Sequence, residues 1–152
     1  MYARPFPTAG TQYNLKKERN AVTTVNITKA TDAFVPVELE LANATETSFG
    51  VSEDFSITPE SSDDRTVIIV NNANASGRAL TVNFKAGDYM SVSDTKAYSV
   101  PAGSSAVIAI DSAFVKNNDG SIVLTATPDF ELSLTSCQFS VACVSFRQVE
   151  TR

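Results

Sequence analysis

From Ala21 onward the chain repeats one pattern: a short run with apolar residues at every second position, then a cluster of Gly, Pro, Asn, Asp or Ser. A period of two sends alternate side chains to opposite faces, so each run predicts a strand with one face buried. Val22–Thr28 is rich in β-branched residues and sets Val25 and Ile27 on one side. Val35–Leu41 alternates Val35, Val37, Leu39 and Leu41 with Pro36, Glu38 and Glu40, and the proline predicts an edge strand or a strand start. Ala42–Arg65 is polar apart from Phe49, Val51, Phe55 and Ile57. That stretch predicts a long connection with a short strand at Phe55–Thr58 and a solvent-facing turn at Pro59–Asp64. Thr66–Asn71 is the most apolar run and predicts a central strand buried on both faces. Asn72–Gly77 then turns the chain, Ala79–Lys85 points Leu80, Val82 and Phe84 inward, and Gly87-Asp88 turns it again.

The stretch Ser105–Thr127 organises the second half. Ala106–Ile110 and Ile122–Ala126 are apolar at alternate positions, and Asn117-Asn118-Asp119-Gly120 between them is dense in residues that close tight turns. Asp111-Ser112-Ala113-Phe114-Val115-Lys116 is the one helical candidate, a single turn capped by Asp111 or Ser112 with Phe114 dropping into the core. Phe130, Leu132 and Leu134 alternate next, and a last strand spans Gln138–Val149. Eight or nine short strands at regular spacing, with no βαβ pattern and no internal repeat, predict an all-β fold. The expected architecture is an antiparallel β-sandwich (jelly-roll or immunoglobulin-like) or a partly closed barrel of about eight strands. Residues 21–152 form that single domain, and residues 1–20 form an extended N-terminal arm.

The arm differs from the rest in kind. Pro5 and Pro7 flank Phe6, Gly10 follows, and no apolar period is present. Tyr2, Phe6, Tyr13 and Leu15 are nevertheless large apolar side chains, and Arg4, Lys16, Lys17 and Arg19 face only Glu18. These eight residues are the candidate partner-binding set: anchors for a neighbour, or a segment folded back on its own domain. The basic charge suits an acidic protein surface or a contact with nucleic acid, and equally a solvated tail. The whole chain, at net charge −5, repels nucleic acid and anionic membranes, which argues against both as partners. A hydrophobic fraction of 43% and a charged fraction of 19% describe a globular protein. The N-terminus has no apolar h-region, and no run approaches the roughly 20 apolar residues of a membrane helix. Cys137 and Cys143 sit on one expected strand roughly 20 Å apart, beyond disulfide reach, which predicts free thiols and a reducing compartment. The sequons at Asn26, Asn43 and Asn74 then read as by-products of an Asn/Ser/Thr-rich composition.

Catalytic equipment is sparse. The chain has no histidine, which removes imidazole-based triads and ordinary zinc catalysis. The cysteines lack a CxxC spacing. Carboxylates remain: Glu60, Asp63 and Asp64 in one turn, and Asp88, Asp94 and Asp119 in others. A glycosidase-like pair is conceivable among them, but acids in turns are the default of an acidic sandwich. Asn117–Gly120 lacks the length and closing Glu of a calcium loop. No phosphate cradle or basic aromatic stripe is present. The expectation is a non-enzymatic protein that works by binding, without metal or cofactor.

Residues 98–127, which open YSVPAGSSAVIAIDSAFVKNNDGSIVLT, resemble a pattern of small tailed-bacteriophage virion proteins. In that pattern a strand leads through a PAG-type turn into an apolar strand, an acidic-Ser-Ala-Phe turn, an NxDG hairpin and a second apolar strand. The preceding ANASGRALTVNFKAGDYMSVSD is similar in style. The resemblance implies a capsid decoration, or cement, protein on the virion surface, synthesised in the host cytoplasm. Such a protein binds the outer face of the head, bridges neighbouring major capsid subunits and forms homo-oligomers, frequently trimers. Two alternatives stay open: another virion component such as a tail or head-fibre protein, or a receptor- or glycan-binding sandwich using Phe49, Tyr89 and Tyr98.

Overall fold

A computed structural model describes residues 22–32, 34–45, 51–74, 77–89, 95, 97–129 and 138–146. They form two packed sheets that do not close into a barrel, so the sandwich is the architecture. One sheet contains β1 (Val22–Val25), β4 (Glu53–Ile57), β9 (Ile122–Asp129), β6 (Ala79–Phe84) and β7 (Tyr98–Val100), in that spatial order. The other runs β2 (Ile27–Ala30), β10 (Phe139–Phe146), β5 (Thr66–Asn72) and β8 (Ser104–Ala109), with β3 (Ala42–Asn43) beside β2 along the edge of β10.

The expected first strand, Val22–Thr28, is two strands in two sheets. β1 pairs with β4 and β2 pairs with β10, both in parallel, so each sheet is mixed although its other ladders are antiparallel. The switch falls at Asn26, which is exposed. Val25 and Ile27 on either side both face the core, so the period of two continues across a change of sheet and hides it in the sequence.

Between the sheets Phe55, Ile57, Leu80, Val82, Ile122 and Leu124 from one side meet Ile68, Val70, Val141 and Cys143 from the other, all fully buried. Phe55 and Phe139 pack edge-to-face across the gap with centroids 5.8 Å apart, a geometry that adds to the burial of their rings. The inward residues of β6 and β9 are the ones their alternation designates. The central strand β5 departs from expectation. Ile68 and Val70 are buried, but Val67 and Ile69 on its outer face are only half covered, because no layer of secondary structure lies over that face among the described residues.

Three further expectations are corrected. The short strand expected at Phe55–Thr58 is present as β4, but it starts at Glu53 and lies between β1 and β9 inside a sheet, not within a connection. The helical turn forms as α1 (Ser112–Val115), and the Asp111 carboxylate accepts the Ala113 N–H at 3.2 Å. Its buried side chain is Val115, whereas Phe114 stays 47% exposed, since one residue along a helix is a rotation of about 100°. The Asn117–Gly120 turn links no hairpin of the two long strands: β8 and β9 lie in opposite sheets, and the turn closes only an isolated bridge between Lys116 and Ile122. Gly120 takes a positive φ of 85° there, and the Gly120 N–H donates to the Asn117 carbonyl at 2.9 Å.

Val35–Leu41 is the largest departure. Expected as an edge strand, it joins no ladder. Pro36 lacks a donor, and the open edge of β10 is already occupied by β2 and β3. The segment instead passes beside β2, where the Glu40 N–H donates to Thr28 Oγ1 at 2.9 Å.

Candidate interaction surface

The eight arm residues singled out above (Tyr2, Arg4, Phe6, Tyr13, Leu15, Lys16, Lys17 and Arg19) lie outside the described residues. So do Phe49, Asp94, Cys137 and the expected strand at 130–134. The described residues begin at β1.

Four of the turn carboxylates are engaged in holding loops. Glu60 forms an ion pair with Lys29, and Asp63 accepts the Ser112 N–H at 2.7 Å, tying the 3₁₀ turn Asp63–Arg65 to the start of α1. Asp88 accepts the Asn118 N–H at 2.8 Å. Asp119 accepts from the Ser121 hydroxyl at 2.6 Å and the Ser121 N–H at 2.9 Å, and these bonds hold its carboxyl below the usual range. Asp119 is thus the turn former its sequence context indicates. Among the described residues no group of three or more His, Cys, Asp or Glu side chains converges on a metal position.

Two acids that the sequence reading passed over are buried. Glu53 shares the inward parity of Phe55 and Ile57, yet it is fully enclosed. Its carboxylate accepts from the Thr23 hydroxyl, from the Thr45 N–H at 2.9 Å and from the Thr45 hydroxyl at 3.1 Å. Asp54, on the opposite face, pairs with Lys85 and accepts from Thr125 Oγ1 at 2.8 Å. Each is satisfied by its neighbours, so these are fastenings: Glu53 ties β1 to the residues after β3, and Asp54 ties β4 to β9 and to the end of β6. A signal was present, because Glu53-Asp54 directly precedes the Phe55/Ile57 alternation and extends its parity.

Asn72 and Asn74 form a comparable polar staple. The fully buried Asn72 amide donates to the Arg78 and Val100 carbonyls, both at 2.9 Å, and accepts from Asn74 Nδ2 at 2.7 Å. Asn74 in turn accepts the Gln138 N–H at 2.7 Å. Its side-chain amide is therefore enclosed, unlike those of the exposed sequon residues Asn26 and Asn43. Beside this staple lies an open cleft of ≈ 440 Å³ bordered by Gly77, Arg78, Pro101 and Gly103. A smaller hollow of ≈ 200 Å³ sits between Phe84, Ile110 and Phe114. Neither gathers a set of convergent ionisable groups. Of the aromatic residues named for glycan stacking, Tyr89 is 67% exposed and Tyr98, on the edge strand β7, is 37% exposed.

Among the described residues, exposed large apolar side chains are concentrated in the segment Phe34–Leu41. Phe34 is wholly exposed and holds a positive φ of 63°, a conformation disfavoured for an aromatic residue. Val35, Val37, Leu39 and Leu41 are between 42% and 56% exposed. Isolated exposed leucines are ordinary, but five large apolar side chains in one short ribbon mark an interaction surface. The ribbon is held at both ends: the Val35 N–H reaches the Asp32 carbonyl at 3.4 Å, and β3 with Thr45 anchors the other side.

No known protein family, curated protein or solved structure matches the chain. No helix among the described residues is long and apolar enough to cross a membrane.

Proposed function

We propose that this chain is a structural virion protein that binds the outer surface of a tailed-phage capsid and bridges neighbouring major capsid subunits. The observation that carries the reading is the exposed apolar ribbon Phe34–Leu41 on a tightly fastened sandwich whose described carboxylates are largely engaged in loop contacts. Such a molecule is equipped to adhere rather than to turn over a substrate. The resemblance of residues 98–127 supplies the capsid as the surface, and the basic, aromatic arm supplies a second contact. On a lattice, many weak contacts of this kind multiply into firm attachment. The test is binding to purified heads of the particle that carries the chain. Full-length protein should co-sediment with them at high copy number, and a variant lacking residues 1–20 should not. Equal binding by the truncated protein would remove the arm from the proposal, and no binding by the full-length chain would remove the capsid.

A further inference from the structure

We propose that the ribbon Phe34–Leu41 is the docking site for residues 13–19 of a second copy of this chain. The ribbon offers apolar side chains at alternate positions and acids at Glu38 and Glu40, with Asp32 just before them. Its backbone joins no ladder, so it can accept an added strand. Two ribbons are poor partners for each other, since antiparallel pairing sets Glu38 and Glu40 of one copy near those of the other. Tyr13-Asn14-Leu15-Lys16-Lys17-Glu18-Arg19 is complementary. Tyr13 and Leu15 repeat the spacing of Val37 and Leu39, and Lys16, Lys17 and Arg19 bring three bases against one acid to a strip that holds no base.

The fold argues that the arm comes from a neighbour. Thr23 and Thr45 grip the same Glu53 carboxylate, while Glu40 lies against Thr28. The ribbon therefore runs antiparallel to the β1–β2 stretch, and Phe34 lies at the end remote from Val22. The chain preceding Val22 enters at that opposite end. Reaching its own ribbon requires the arm to reverse, whereas reaching a neighbour's requires only extension, and residues 13–21 span up to about 30 Å when extended.

With the ribbon and residues 13–19 joining neighbouring copies, residues 1–12 are left to meet the capsid. The experiment uses purified full-length chain without capsids, so it stands or falls separately from the capsid reading. Sedimentation velocity across a concentration series should show self-association that weakens as salt is raised. Glu38→Lys with Glu40→Lys should weaken association about tenfold or more, and Lys16→Glu with Lys17→Glu likewise. The four changes together should restore most of it. In an equal mixture of ¹⁴N- and ¹⁵N-labelled chains, carbodiimide should join Lys16 or Lys17 of one isotope to Glu38 or Glu40 of the other. A monomer at all concentrations, charge reversals without effect, no rescue in the fourfold variant, or cross-links confined to one isotope would each overturn the proposal. Glu38 and Glu40 are exposed, and unchanged circular dichroism checks that all the variants fold.

Discussion

At the scale of single residues, the enclosed polar groups determine which substitutions matter. Glu53 is a carboxylate on a core parity, and its cost is offset by three donors from Thr23 and Thr45. Removing it strands those donors. Glu53→Ala should destabilise the fold by about 2–4 kcal/mol in chemical denaturation, and Glu53→Gln, which keeps an acceptor oxygen, by clearly less. Cys143 behaves differently, because it is an apolar filler whose chemistry is suppressed. Burial pushes its thiol from 9.0 up to about 11. A folded-state value above the unfolded one means that the unfolded chain ionises first as pH rises. The stability contributed by the neutral thiol is thus complete below pH 9 and lost on the way to about pH 11. Between those limits the wild type should lose stability more steeply than Cys143→Ala, measured by urea midpoints at a series of pH values. Parallel slopes would show that the thiol does not titrate with folding.

At the scale of elements, the sandwich depends on where short connections touch. Gly87 lies where the loop after β6 meets the end of α1, and the Gly87 N–H donates to the Phe114 carbonyl at 3.1 Å. A Cβ at this position would stand 2.3 Å from the Lys116 carbonyl oxygen and 2.7 Å from the Lys116 nitrogen, and backbone cannot yield as a side-chain tip can. Gly87→Ala should therefore cost about 2–3 kcal/mol, or roughly 4–12 °C in Tm by calorimetry. The same substitution at Gly103, which meets no atom within 4 Å, should act only through its positive φ of 68°. The contrast between the two glycines separates steric contact from backbone strain.

At the scale of the whole molecule, one stretch ties the sheets together. β1 and β2 lie along the same open side, one on each sheet, and the ribbon doubles back beside them. The core of the described residues draws on every strand from β1 to β10 and on α1. A chain lacking residues 1–20 should accordingly keep its cooperative thermal transition within a few degrees of the full-length protein. A collapse of that transition would make the arm part of the core, and its loss could no longer be read as the loss of a contact surface.

Alternation alone was enough to determine the fold class and the inward residues of β6 and β9, because a period of two is local and survives any topology. A cap at Asp111 or Ser112 and a turn at Asn117–Gly120 were legible for the same reason: each is a bond between near neighbours. Sheet membership was not legible. Val25 and Ile27 keep the same parity whether or not the chain changes sheets at Asn26, and only the partners β4 and β10, from distant parts of the chain, distinguish the two cases. Glu53 went unremarked because donors that satisfy it come from Thr23 and Thr45, outside its own strand. Val35–Leu41 carried the most regular alternation and yet buries neither face deeply. The pattern specified a strand-like ribbon with an apolar side, but whether anything covers that side depends on the occupied edge of β10. The sequence determined which residues seek burial, and the tertiary structure decided which of them find it, since burial requires a partner surface that local pattern cannot encode.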